Sequence, residues 1–128
     1  MRRSDLHKIV REAAEALPGS GMSHPFGPEY EVWKVRGKVF ALLTDLADGP
    51  IVVIKSDPED SRALRETYAD ITPGYHMNKK HWITLRPGPS IDNSLAQELV
   101  TESYRLVVMG LPRAQRPIDP DNFAATAQ

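Results

Sequence analysis

Val32-Trp33-Lys34-Val35 and Val39-Phe40-Ala41-Leu42-Leu43, separated by Arg36-Gly37-Lys38, decide how this chain folds. Both runs are rich in β-branched and aromatic residues, and Gly37 supplies the positive φ that a tight hairpin turn requires. Successive side chains alternate across a sheet, so Trp33 and Val35 fall on one face while Val32, Lys34 and Arg36 fall on the other. The first face is expected to meet a core and the second to meet water.

Working outward, Asp45 to Pro50 reads as a second turn. Ile51-Val52-Val53-Ile54-Lys55 reads as a third strand, apolar on both faces, which suits the middle of a sheet or a place beneath a helix. Asp57-Pro58-Glu59-Asp60 is a helix start, with Asp as N-cap and Pro at the first helical position. The helix should reach about Tyr68 and bury Ala63, Leu64, Thr67 and Tyr68. Upstream, Ser4 reads as the cap of a helix from Asp5 to about Leu17, with Leu6, Ile9, Val10, Ala13 and Leu17 at helical spacing and Pro18-Gly19 as its stop. Gly19 to Glu29 is full of breakers and reads as a loop lying over the core through Phe26. Downstream, His81 to Arg86 reads as a strand that Pro87 ends. A last helix begins from Asp92, with Ser94 and Gln97 at capping-box spacing and Leu95, Leu99, Ser103, Leu106 and Val107 along one stripe. It should end near Leu111-Pro112. The expectation is an α+β fold with an antiparallel sheet and helices packed on one side. Residues 1–112 form one domain in this reading, and 113–128 a loosely held tail.

Length and composition agree with a single packed domain. The chain has 128 residues, 41% hydrophobic and 26% charged, with a formal net charge of -1, close to ordinary globular usage. No apolar run approaches the length needed to span a bilayer, and the N-terminal pattern is amphipathic, so a cytoplasmic location without membrane partners is expected. The absence of Cys excludes disulfides, zinc knuckles and thiol nucleophiles. A monomer is the default.

The unusual residues gather in Ile71-Thr72-Pro73-Gly74-Tyr75-His76-Met77-Asn78-Lys79-Lys80-His81-Trp82. Pro73-Gly74 is turn chemistry, and Asn78-Lys79-Lys80 reads as a hairpin tip. From Ile71 to Ile91 there is no Asp or Glu, and Lys79, Lys80 and Arg86 supply fixed positive charge. Lys34, Arg36 and Lys38 do the same around the first turn, with no acid between Val32 and Thr44. Two basic tips of this kind suit phosphate backbones, with double-stranded DNA as the partner. Lys and Arg on a hairpin also serve solubility alone. Trp82 shares its face with Thr84 and Arg86, while Ile83 and Leu85 point the other way; it either stacks on a base or planar ligand or packs into the fold. His76 and His81 are five apart on an extended segment without a carboxylate nearby, a poor spacing for a metal, and no metal or other cofactor is expected. No phosphate-binding loop, dinucleotide fingerprint, nucleophile elbow or zinc-protease motif is present, so a non-enzymatic role is preferred. The alternative is a small-molecule or protein-binding module whose pocket is lined by the Tyr75 to Trp82 stretch, with Tyr75, His76 and Trp82 as its ligand-contacting or surface aromatic residues, and an enzyme comes third.

Several stretches taken together resemble the MmcQ/YjbR family: His24-Pro25-Phe26-Gly27-Pro28, the Val32 to Leu42 hairpin, Lys55-Ser56-Asp57-Pro58, Thr72 to Trp82, and Ser103-Tyr104-Arg105-Leu106-Val107. The resemblance runs from about Ser4 to Arg116. It implies a CyaY-like (frataxin-like) α+β domain described as bearing a double-wing DNA-binding arrangement. On that implication Lys34, Arg36, Lys38, Lys79, Lys80, His81 and Arg86 contact DNA. Iron binding does not carry over from frataxins, because the first helix mixes Asp5, Glu12 and Glu15 with Lys8 and Arg11.

Overall fold

The computed structural model describes residues 1–123. Helix α1 (Arg3–Glu15) leads into strands β1 (Ser20–Ser23), β2 (Glu31–Val35), β3 (Lys38–Leu46) and β4 (Gly49–Lys55). Helix α2 (Pro58–Thr67), strands β5 (Ile71–Pro73) and β6 (Trp82–Leu85), helix α3 (Asn93–Met109) and a short 3-10 turn (Arg113–Gln115) follow. The strands form one six-stranded sheet in the order β1-β2-β3-β4-β6-β5, antiparallel throughout. The expected α+β class, with helices gathered on one side, is the fold found.

The cross-strand register separates the two faces. Trp33, Ala41, Leu43, Val52, Ile54, Ile83, Leu85 and Ile71 share the face that meets the helices, and they join Leu6, Val10 and Ala14 of α1 and Ala96, Val100, Tyr104, Val107 and Val108 of α3 in one core cluster. Tyr104 meets Phe40 edge to face at 5.4 Å, a contact that adds about 1 kcal/mol beyond area burial. Val32, Ile51 and Val53 point to the other face and, although fully buried, lie outside that cluster. β4 is flanked by β3 and β6, which is why its apolar residues are buried on both faces.

The main hairpin forms with a tighter turn than expected. Val35 pairs with Lys38, so only Arg36 and Gly37 form the loop, both at positive φ (49° and 79°), the twist-matched two-residue geometry. Val32 was expected to face water and is fully buried, because β1 pairs along β2 and makes it an interior strand. The segment 19–29 supplies that strand rather than a loop alone, and Phe26, expected over the core, is 62% exposed.

The helices differ from expectation in their ends and buried stripes. α1 starts at Arg3 without a side-chain cap, so Ser4 is inside it. α2 has the expected Asp57 cap, whose carboxylate accepts from the Glu59 N–H at 3.0 Å. Its inward face carries Ser61, Leu64 and Tyr68, whereas Ala63 and Thr67 are exposed. α3 is capped by Asp92, which accepts from the Leu95 N–H at 2.8 Å; Ser94 lies inside the helix. The buried stripe is Ala96, Val100, Ser103, Tyr104, Val107 and Val108, with Leu95, Leu99 and Leu106 on its flanks. Up to residue 123, the expected loose tail is tied down. Arg36 donates to the Gln115 carbonyl at 3.0 Å, Arg116 to those of Leu111 and Met109, and Arg105 to that of Pro120. Phe123 stacks against Tyr104 at 5.6 Å. Residues 124–128 of that tail lie outside the described residues.

Candidate nucleic-acid interface

Strand directions bring the two basic turns to one end of the sheet. β2 runs up to Arg36-Gly37 and β3 runs back down from Lys38. The antiparallel β4 therefore ends at the upper level with Lys55, β6 starts there with Trp82 opposite Lys55, and β5 ends there with Pro73. Residues 36–37 and the connection 74–81 accordingly leave the same edge. From the β2/β3 hairpin to the β6/β5 hairpin is three strand spacings, about 14 Å. That is comparable to the width of a DNA major groove, about 12 Å.

Asn78 organises the second tip. Its backbone carbonyl accepts from the N–H groups of His81 and Trp82 at 3.2 and 3.0 Å, while its side-chain oxygen accepts from the Lys80 N–H at 2.9 Å. Such an Asx turn holds Lys79 and Lys80 outward without a strand beneath them. Lys79, Lys80 and His81 are exposed. The His81 carbonyl accepts from the Ser56 N–H at 2.8 Å, which ties the tip to the end of β4. Strand pairing begins at Trp82 rather than His81. Gly74 lets the two arms close: its N–H donates to the Trp82 carbonyl at 3.0 Å, and a Cβ there would stand 2.7 Å from the Trp82 Cβ, a clash.

Tyr75 is half-buried, and its N–H donates to Thr84 Oγ1 at 2.9 Å. Its ring meets the exposed His76 at 4.0 Å between centroids, and His76 has a positive φ of 57°. Trp82 is half-buried on the helix-free face. Among the described residues, no group of three His, Asp or Glu side chains that could hold a metal ion is found, and no helix is long and apolar enough to cross a membrane.

The candidate residues are brought together with one exception. Lys38, Arg36, Lys79, Lys80 and His81 share the upper end, and Lys34 sits just below it on the helix-free face. Arg86 is at the other end of β6, four residues and about 13 Å from Trp82, where it pairs with Asp48 at 3.4 Å. The sequence grouped it with the second tip because the run lacks acids, but a strand carries its two ends apart. Lys55 was overlooked. Its signal was a lone Lys closing an otherwise apolar strand, which puts that charge between the two turns.

A family model described as YjbR matches residues 15–106. The chain belongs to the YjbR family. Uncharacterized protein YbdF of Escherichia coli O157:H7 is 42% identical to this YjbR-family chain over 121 residues, covering 94% of this chain and 99% of that protein. Uncharacterized protein YjbR of Escherichia coli K12 is 34% identical over 85 residues, 66% of this chain and 72% of that one. Among solved structures, Deinococcus radiodurans protein DR2400, described as a DUF419 domain, superposes with a TM-score of 0.77 at 35% identity, covering 84% of this chain and 82% of that one. A Pseudomonas syringae protein gives 0.67 at 26% identity, covering 83% and 98%. The YjbR match contains both basic turns, the Trp82 strand and most of α3.

Proposed function

We propose that this YjbR-family protein is a non-enzymatic, cytoplasmic DNA-binding protein that engages duplex phosphates with the two basic turns at one end of its sheet. The carrying observation is that Arg36 and Lys38 on one turn and Lys79 and Lys80 on the other leave the same end, and neither turn contains a carboxylate. Arg36 is partly committed to Gln115, so Lys38, Lys79 and Lys80 carry most of the phosphate contact, with Lys34 and Lys55 behind them. Binding of this kind is largely indifferent to base sequence and strongly salt-dependent, because released counterions drive it.

The ligand-pocket reading has less support. A cleft of about 240 Å³ lies on the helix side of the sheet, lined by Ile54, Lys55, Asp60, Leu64, Ile83 and Leu99 among others. None of its walls comes from Tyr75, His76 or Trp82. Fluorescence anisotropy of a labelled duplex, at low and then moderate salt, tests the proposal: affinity should fall steeply with salt. Failure of micromolar protein to bind at low salt would overturn it in favour of the ligand-binding reading.

A further inference from the structure

We infer that the helix-free face of the sheet receives an unpaired DNA strand, so that the preferred ligand is a junction where duplex gives way to single strand. The inference builds on the DNA reading above and adds a second, separable contact surface. The register assigns to this face Val32 and Lys34 of β2, Leu42 and Thr44 of β3, Ile51, Val53 and Lys55 of β4, and Thr72, Trp82 and Thr84 of β5 and β6. Arg86 continues the alternation of β6. Among the described residues, no strand places a carboxylate on this face, in a chain with 17 acidic residues and a net charge of -1. Glu31, the acid on β2, points to the helix side, where Arg11 and Trp33 hold it. The acids of α2 follow that helix, whose Leu64 and Tyr68 pack on the core beneath the opposite face. Phosphate therefore meets Lys34 and Lys55 on this face with no strand carboxylate beside them, while Arg86 is shared with Asp48 of the β3–β4 turn.

Charge alone does not distinguish paired from unpaired DNA, but the aromatic residues do. Trp82 stands directly opposite Lys55, at the rim between the two turns, and Tyr75 is fixed over the next row by its bond to Thr84. Both residues are half-buried, neither sealed in the core. Bases inside a duplex stack on both sides and leave no free π face, whereas unpaired bases stack on aromatic side chains while nearby cations hold the backbone. Between these residues Val32, Val53 and Thr84 are fully buried, so a bound strand meets Lys34, Lys55, Thr72 and Trp82 rather than them. A strand leaving a duplex held at the turns meets Trp82 and Lys55 first and continues toward Lys34 or Arg86.

The test compares a blunt duplex, the same duplex with an unpaired thymidine tail, and the tail alone, by anisotropy at one salt concentration, with tryptophan fluorescence followed in parallel. Trp33 is only 6% exposed and bonded to Glu31, so quenching reports Trp82. The tailed duplex should bind roughly fivefold or more tightly than the blunt one, the scale of one stacked base, with quenching. Trp82→Ala should remove that advantage while leaving blunt-duplex affinity unchanged, and Trp82→Phe should keep part of it. If Trp82→Ala does not fold, Trp82→Leu, which keeps apolar volume but no ring, should remove the tailed advantage in its place. Equal affinity for tailed and blunt duplex, or saturation without quenching, overturns the inference and leaves the duplex reading standing. Binding of the tail without binding of blunt duplex overturns the duplex reading and supports this face. Absence of binding to all three overturns both.

Discussion

The Ser103 hydroxyl accepts the backbone N–H of Lys55 at 2.8 Å and donates to the Phe40 carbonyl at 2.6 Å. The pairing of β2 with β3 skips Phe40, since Trp33 stands opposite Ala41 and Lys34 opposite Val39. That bulge turns the Phe40 ring into the core and takes its carbonyl out of the ladder, while β4 pairs with β3 only as far as Ile54. A fully buried hydroxyl on α3 thus satisfies two strand groups at once. Ser103→Ala leaves both unpaired, at about 1–3 kcal/mol for each buried group. The expected loss is about 2–6 kcal/mol in denaturant unfolding, with an unchanged slope.

Burial pushes the Tyr104 phenol up to about 12, where its hydroxyl donates to the Pro18 carbonyl. The folded value is raised above the ordinary 10, so the stability linked to this group is intact below pH 10 and is lost as pH rises from 10 through about 12. In a spectroscopic titration, one Tyr should ionise late and together with unfolding. Tyr104→Phe should be less stable at neutral pH, because Pro18 loses its donor, but should not show this alkaline loss. A normal titration of all four Tyr would contradict it.

Much of the fold was legible where short-range chemistry decides it. The Arg36-Gly37 turn, the Asp57-Pro58 helix start and the two-sided apolar β4 are all written in adjacent residues. β1 was missed because Ser20-Gly21-Met22-Ser23 has neither β propensity nor alternation, and its pairing comes from the β2 edge it covers. The stripe on α3 was displaced because Leu95, Leu99 and Leu106 look like the best core residues, while the helix turns Ala96, Val100 and Tyr104 inward. At the candidate site, the tip residues were legible from charge, but Arg86 and Lys55 were not assigned correctly. Which end of a strand a side chain occupies depends on strand direction, and that is fixed only by the sheet order.

Arg86 now supplies a control. It pairs with a largely exposed Asp48, an arrangement worth about 0–1 kcal/mol, and sits at the end away from both turns. Arg86→Ala should leave the melting temperature nearly unchanged, and the salt dependence of blunt-duplex binding should not move. A flattened salt slope would mean that DNA lies along the sheet rather than across its upper end.

Gly74 and Tyr75 test whether the second tip is held by its base. A methyl group at Gly74 meets both the Cβ and the carbonyl oxygen of Trp82, at 2.7 and 2.8 Å, and the carbonyl belongs to backbone already paired on β6. Gly74→Ala should therefore destabilise by about 1–3 kcal/mol, as overpacked sites do, and weaken DNA binding by moving the tip. Tyr75→Ala should cost less than the removal of a fully buried aromatic, about 1–2 kcal/mol, since its ring is only half-buried. Thermal melts of both variants, ranked the other way round, would show that the ring rather than the close backbone approach holds the tip.

Lys79 and Lys80 separate function from folding. Both are exposed, and the hydrogen bond that orders them is made by the Lys80 backbone N–H to Asn78, which a change of side chain leaves in place. The double change to Ala should alter stability by no more than about 0.5 kcal/mol. Loss of two phosphate contacts should weaken duplex binding and flatten the plot of log affinity against log salt by roughly 2. Asn78→Ala should do the reverse in part, loosening the tip while leaving both charges, so that affinity falls and the salt slope is largely kept. If the Lys double variant unfolds, or binds duplex with an unchanged slope, these side chains are not the phosphate contacts and the second turn is not a wing.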